Sequence, residues 1–158
     1  MDWLDPLRSL FKKKVLTFKQ NDLFCTWGTG PINQRTITYV MGRWRVTNNS
    51  DSDVTLTKVR LSKYPSHDVQ LSMRNPEDER NMLVLGGFPM APHQTSEVQV
   101  IFNIFPPLNR PRIPIIDDVI FTDKDDNSHP VRSRFAYGLP KPASWFRRIK
   151  SMLRPKHP

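Results

Sequence analysis

Between residues 15 and 137 the apolar residues arrive in short bursts separated by turn-forming clusters, and no stretch in that interval keeps the 3.6-residue period of a helix. Nine β-prone runs stand out, at 15–19, 23–27, 36–47, 54–61, 69–73, 82–85, 97–105, 115–122 and 131–137. Strands that follow one another without crossover helices pack as antiparallel layers rather than as parallel βαβ units. The alternation is clearest where Val98, Val100, Phe102 and Ile104 interleave with Glu97, Gln99 and Asn103, with Ile101 as the exception. One face of that strand is expected to be buried.

The connections follow from turn chemistry. Trp44 and Val46 alternate with Arg43, Arg45 and Thr47, and the run then meets Asn48-Asn49-Ser50-Asp51, which predicts a hairpin into 54–61. A second hairpin is expected to join 119–122 to 131–135 through Asp123-Lys124-Asp125-Asp126-Asn127. Pro106, Pro107, Pro111 and Pro114 each lack a ladder donor, so 105–114 reads as a loop crossing between sheets. Trp27-Gly28-Thr29-Gly30-Pro31 has two glycines but neither the lysine nor the hydroxyl of a phosphate-binding loop, and reads as a turn.

With these strands and turns the chain resembles the immunoglobulin-like β-sandwich architecture, although the cysteine pair of that fold is absent and the resemblance reaches no particular family. The expected fold is all-β, a two-sheet antiparallel β-sandwich over 15–140, with short amphipathic helices at 1–14 and 141–158. At the first of these, Trp3, Leu4, Leu7, Leu10 and Phe11 share a helical face, acidic residues stand near the start, and Lys12, Lys13 and Lys14 suit the C-terminal end. At the second, Ser144 is a candidate cap. Trp145, Phe146, Ile149, Met152 and Leu153 form one stripe there, and Arg147, Arg148, Lys150 and Arg154 fill the rest.

The formal net charge of +9 is confined to these ends. Residues 1–20 hold five basic and two acidic residues, residues 141–158 hold six basic and none acidic, and the 13 basic and 13 acidic residues between them cancel. A neutral body with basic, oily extremities suits docking. The candidate docking residues are therefore Trp3, Phe11, Lys12, Lys13, Lys14, Trp145, Phe146, Arg147, Arg148, Lys150 and Arg154.

Catalytic and metal chemistry find little support. Cys25 stands alone, which excludes an internal disulfide and a cysteine-based zinc site and points to a reducing compartment. His67, His93, His129 and His157 are scattered, with no partner at zinc-ligand spacing. In the loop 123–127, Asp123, Asp125 and Asn127 match the first alternate positions of a calcium loop. Ser128 then replaces the required glycine and Arg134 the closing glutamate, so a solvated hairpin turn is preferred. Pro111-Arg112-Ile113-Pro114 is formally a PxxP segment without the flanking basic residue. No cofactor, no metal and no catalytic residue is expected.

The functional expectation is a non-enzymatic binding or adaptor module that contacts a protein partner. Peripheral association with an anionic membrane surface is the first alternative, and non-specific nucleic-acid binding through the basic tails is the second. The N-terminus does not read as a secretory signal, and no run approaches the length of a membrane span, so the expected location is cytoplasmic or peripheral to a membrane.

Overall fold

A computed structural model describes residues 14–32, 34–66, 68–74, 81–83 and 87–138. The helices expected at 1–14 and 141–158 lie outside these residues except for Lys14, which is exposed coil. Ten strands follow: β1 (Leu16–Gln20), β2 (Thr26–Ile32), β3 (Arg35–Asn48), β4 (Val54–Leu61), β5 (Asp68–Arg74), β6 (Asn81–Leu83), β7 (Phe88–Met90), β8 (Thr95–Ile104), β9 (Ile115–Asp123) and β10 (Ser128–Tyr137). Among the described residues no helix is long and apolar enough to cross a membrane.

The strands hydrogen-bond in the order β6-β5-β8-β3-β2-β10-β9-β4-β7, with β1 also on β3, so that the sheet curls into a half-barrel. The 14-residue β3 is its spine. Along one edge it pairs with β8 from Thr38 to Thr47, while β2 and β1 share its other edge, opposite 35–41 and 44–48 respectively. Every ladder is antiparallel except β2 to β10, which run parallel over Thr26–Ala136 and Trp27–Tyr137. That short joint links the β3 region to the β10-β9-β4-β7 region.

The core lies inside the curl. Trp44, Phe121 and Phe135 are fully buried, with the indole edge-on to both phenyl rings at 5.5 and 6.2 Å, and Phe18 stacks on Phe121 at 4.7 Å. Burial of large apolar groups on this scale is the main driving force for such a fold. Trp44 Nε1 meets no acceptor among the described residues, so the ring serves by volume and not by its polar edge. The alternation expected for β8 is visible in its buried Val98, Val100, Phe102 and Ile104.

Three local expectations need correction. β3 and β4 do not form a hairpin: β4 pairs with β7 and β9, and the Asn48-Asn49-Ser50-Asp51 cluster crosses from one part of the curl to the other. The cause is Asn48, a buried amide that donates to the carbonyls of Ser52, Met90 and Ala91 and accepts from Ser50 N and Oγ. Secondly, Gly28 to Pro31 belong to β2 and not to a turn, and the bare Cα of Gly28 lets the Tyr39 ring lie against it, a Cβ there standing 2.5 Å from Tyr39 Oη. Lastly, the run 23–27 is broken by a single 3-10 turn at Asp22–Phe24. That turn places Phe24 over Arg43, the guanidinium carbon lying 3.7 Å from the ring centroid, so Arg43 is buried on the face opposite Trp44.

Other expectations hold. β9 and β10 form the predicted hairpin through 123–127, and the proline-rich segment crosses between β8 and β9. β7 was not expected. Its middle residue, Pro89, is exposed on a three-residue edge strand, a position where a missing N–H is tolerated.

Candidate docking surface

The groups best suited to chemistry are committed to the fold. Cys25 is buried, its sulfur accepts from Arg43 N, and burial pushes the thiol from 9.0 up to about 11 against the opposing pull of that backbone hydrogen bond. The thiolate, which is the nucleophilic form, is thereby disfavoured. Asp117 is fully buried and accepts from Lys63 N and Asp118 N, which fixes the chain as it leaves β4.

Asp123 organises the loop that sequence matched in part to a calcium site. Its Oδ1 accepts from Asp125 N, Asn127 N and Asn127 Nδ2, and its Oδ2 takes Asn127 Nδ2 and His129 Nε2, the latter at 3.0 Å. Burial works to raise the pKa of this carboxyl, but the hydrogen bonds from His129, Asn127 and Asp125 outweigh it and hold the group below 3.8. Its lone pairs are therefore spent inside the turn. Among the described residues no three His, Cys, Asp or Glu side chains are placed to hold a metal ion.

Of the docking residues proposed from sequence, Trp3, Phe11, Lys12, Lys13, Trp145, Phe146, Arg147, Arg148, Lys150 and Arg154 lie outside the described residues, and only Lys14 is placed. The points where the described chain meets the two basic segments are nonetheless fixed. Lys14 O and Val15 O accept from Asn49, just beyond the end of β3, whereas Gly138 N donates to Trp27 O, and Trp27 pairs with Val40 towards the middle of β3. At about 3.3 Å per strand residue these points stand roughly 30 Å apart along β3.

The two ends also differ in charge, although the body as a whole is neutral. The loops near Lys14, at 49–53, 91–94 and 123–127, expose Asp51, Asp53, Asp125 and Asp126, with Lys124 as the lysine among them and His93 paired to Asp51 at 2.7 Å. The loops near Gly138, at 34–36, 62–66, 105–114 and 136–138, carry Arg35, Lys63, Arg110 and Arg112, while the carboxylates bordering them are Asp68, which accepts from Asn103 Nδ2, and buried Asp117, which accepts from Lys63 N.

At this second end arginines and aromatic rings alternate. Arg110 donates to Tyr64 Oη, and its guanidinium carbon lies 6.0 Å from the Tyr64 centroid and 5.6 Å from that of Trp27. Trp27 meets Tyr137 edge-on at 5.0 Å, and Arg112 lies over Tyr137 at 5.5 Å. The ladder therefore runs Tyr64, Arg110, Trp27, Tyr137, Arg112. Alongside it, Arg35 covers Phe105 at 5.7 Å. The crossing loop is held in place by Trp27 Nε1 donating to Ile113 O and Leu108 N donating to Thr38 Oγ1. Trp27 is buried, while Tyr137, Phe105 and Ile113 remain 38, 47 and 52% exposed.

No family model matches this chain, and no curated protein matches it. Among solved structures, the FixG-related protein from Vibrio parahaemolyticus is 14% identical with a TM-score of 0.47, covering 80% of this chain and 100% of its own. The apo PmoF2 PCuAC domain is 12% identical with a TM-score of 0.49, covering 81% of this chain and 93% of its own. The apo PCuAC domain from PmoF1 is 10% identical with a TM-score of 0.45, covering 80% of this chain and 98% of its own. Similarity at this level carries no ligand or activity over to this chain.

Sequence reasoning missed the ladder. From sequence, Arg112 enters only as part of a PxxP match, Arg110 not at all, and Trp27 only as the neighbour of two glycines. The available signal was a proline-rich loop with two arginines and no carboxylate. Its partners Tyr64, Trp27 and Tyr137 come from three distant segments that only the fold brings together.

Proposed function

We propose that this chain is a non-enzymatic binding or adaptor module that contacts a protein partner. The observation that carries this reading is a cluster of cations: one end of the half-barrel carries Arg35, Lys63 and Arg112 exposed and Arg110 half-buried, among aromatic and aliphatic side chains. Loops carried on a rigid β framework are the usual seat of recognition. The internal commitments of Cys25, Asp117 and Asp123 favour binding over catalysis.

Within this proposal the architecture is immunoglobulin-like and two-layered. The antiparallel pairing of every ladder but the short β2–β10 joint supports that description. The segments 1–14 and 141–158 act as accessory docking arms through Trp3, Phe11, Lys12, Lys13, Lys14, Trp145, Phe146, Arg147, Arg148, Lys150 and Arg154.

Cross-linking of the full chain in native extract, read by mass spectrometry, tests the reading. A discrete protein cross-linked in near-stoichiometric yield is the expected result. Turnover of a nucleotide, ester or glycan that survives re-purification would overturn it, as would recovery of lipid or nucleic acid in place of protein.

A further inference from the structure

We propose that the exposed part of the ladder, Tyr137 and Arg112, with Arg35 and Phe105 beside it and buried Trp27 behind it, is the docking surface for an acidic peptide segment of a protein partner. This assignment rests on the adaptor reading and gives it a site and a ligand chemistry.

Charge complementarity is the first argument. Arg35, Lys63, Arg110 and Arg112 share one end of the molecule, and among the described residues none of them lies within ion-pair distance of a carboxylate. Two cations elsewhere in the body are paired, Arg43 with Glu97 at 3.3 Å and Arg132 with Asp118 at 3.4 Å.

Geometry decides between the anions. A guanidinium laid on an aromatic ring has one face covered and its N–H edge free, which suits two parallel hydrogen bonds to a carboxylate. Arg112 and Arg35 are both exposed, and their guanidinium carbons lie 5.5 and 5.7 Å from the Tyr137 and Phe105 ring centroids, within cation–π range. The same contacts argue against the other polyanions. A nucleic-acid site keeps aromatic faces open for bases, and a membrane tip keeps apolar side chains clear to insert. Here Tyr64, Trp27, Tyr137 and Phe105 each already carry a guanidinium of this chain. Exposed Ile113, whose carbonyl is tied to the Trp27 indole, offers an apolar contact beside the arginine edges. The segment that fits has carboxylates with an interspersed aliphatic residue.

The test uses the full chain and a short fluorescent peptide rich in Glu and Asp with interspersed Leu, compared with its Gln and Asn counterpart. Binding is read by anisotropy at low and high salt and by the NMR signal of the Trp27 indole N–H. The acidic peptide should bind, the amide counterpart should not, and rising salt should weaken the complex. Arg112→Gln and Arg35→Gln should each reduce affinity about tenfold, as expected for loss of a charge-assisted pair. Arg112→Lys should restore only part of it, because the planar fork is gone. Both positions are exposed, so the melting temperature should stay at the wild-type value and a folding defect would be visible.

Equal binding of the two peptides, or affinity indifferent to Arg112 and Arg35, would overturn the assignment. Arg112-dependent binding to phosphatidylserine vesicles or duplex RNA that exceeds peptide binding would overturn it as well. If the peptide fails while cross-links place a protein partner on another face, the ladder assignment falls and the adaptor reading stands. If no protein contacts the chain at all, both fall.

Discussion

The Trp44 ring lies folded back over Gly42, two residues earlier on β3, so closely that a Cβ on the glycine would stand 2.0 Å from the ring's outer carbon. The two positions share the inner face of the strand, and the indole is wedged on its far side against Phe121 and Phe135. The ring therefore has nowhere to retreat. Gly42→Ala should destabilise the protein by about 3 kcal/mol, the upper part of the range for overpacking a dense core. Chemical denaturation should show a lower midpoint with an unchanged slope. A variant as stable as the wild type would mean that the strand yields where the packing says it cannot.

Asn48 is the next place where one side chain decides a connection. Its amide nitrogen serves three carbonyls, those of Ser52, Met90 and Ala91, at 2.8, 3.2 and 3.1 Å. Asn48→Ala would leave them short of a donor next to a fully buried position, with a cost of about 3 kcal/mol. Asn48→Asp should be worse, since a carboxylate has no N–H to give. Thermal melts of the two variants should rank in that order.

Most of the strands were legible because burial on one face imposes a period that sequence displays directly, as in β8. β4 was placed at Val54–Leu61 and is found there. What sequence hid were pairings set by single side chains. The Asn48 cluster has the composition of a hairpin turn, and only its donors to Met90 and Ala91, more than 40 residues away, turn it into a crossing. Gly28 and Gly30 look like a turn until Tyr39 is seen lying against the first of them. For the same reason the proposed docking arms could be read from charge along the chain, while the ladder from Tyr64 to Arg112 could not: its members come from β2, β10 and two loops.

Cys25 offers a probe of opening. With its pKa pushed by burial to about 11 and its side chain 1% exposed, the thiol should be inert to a disulfide reagent at pH 8 while the protein is folded. Reaction should appear on adding denaturant and follow the unfolding transition. Rapid labelling of the native state would show that the 3-10 turn at Asp22–Phe24 opens far more readily than its packing implies.

The Asp123 hub gives stability an acid limb. Its folded-state pKa is held below 3.8, so the unfolded chain takes up the proton first as pH falls. The contribution is complete above about pH 5 and is lost progressively as the pH drops through 3.8 and on through the folded value. Asp123→Asn keeps the shape but turns an acceptor oxygen into a second donor facing Asn127 and His129, and should cost about 2 kcal/mol at neutral pH. Because the wild-type carboxylate loses its advantage in acid, urea midpoints of wild type and variant should converge between pH 5 and pH 3. A gap that stays constant across that interval would show that Asp123 acts through shape alone, and that its charge contributes nothing to holding the β9–β10 turn.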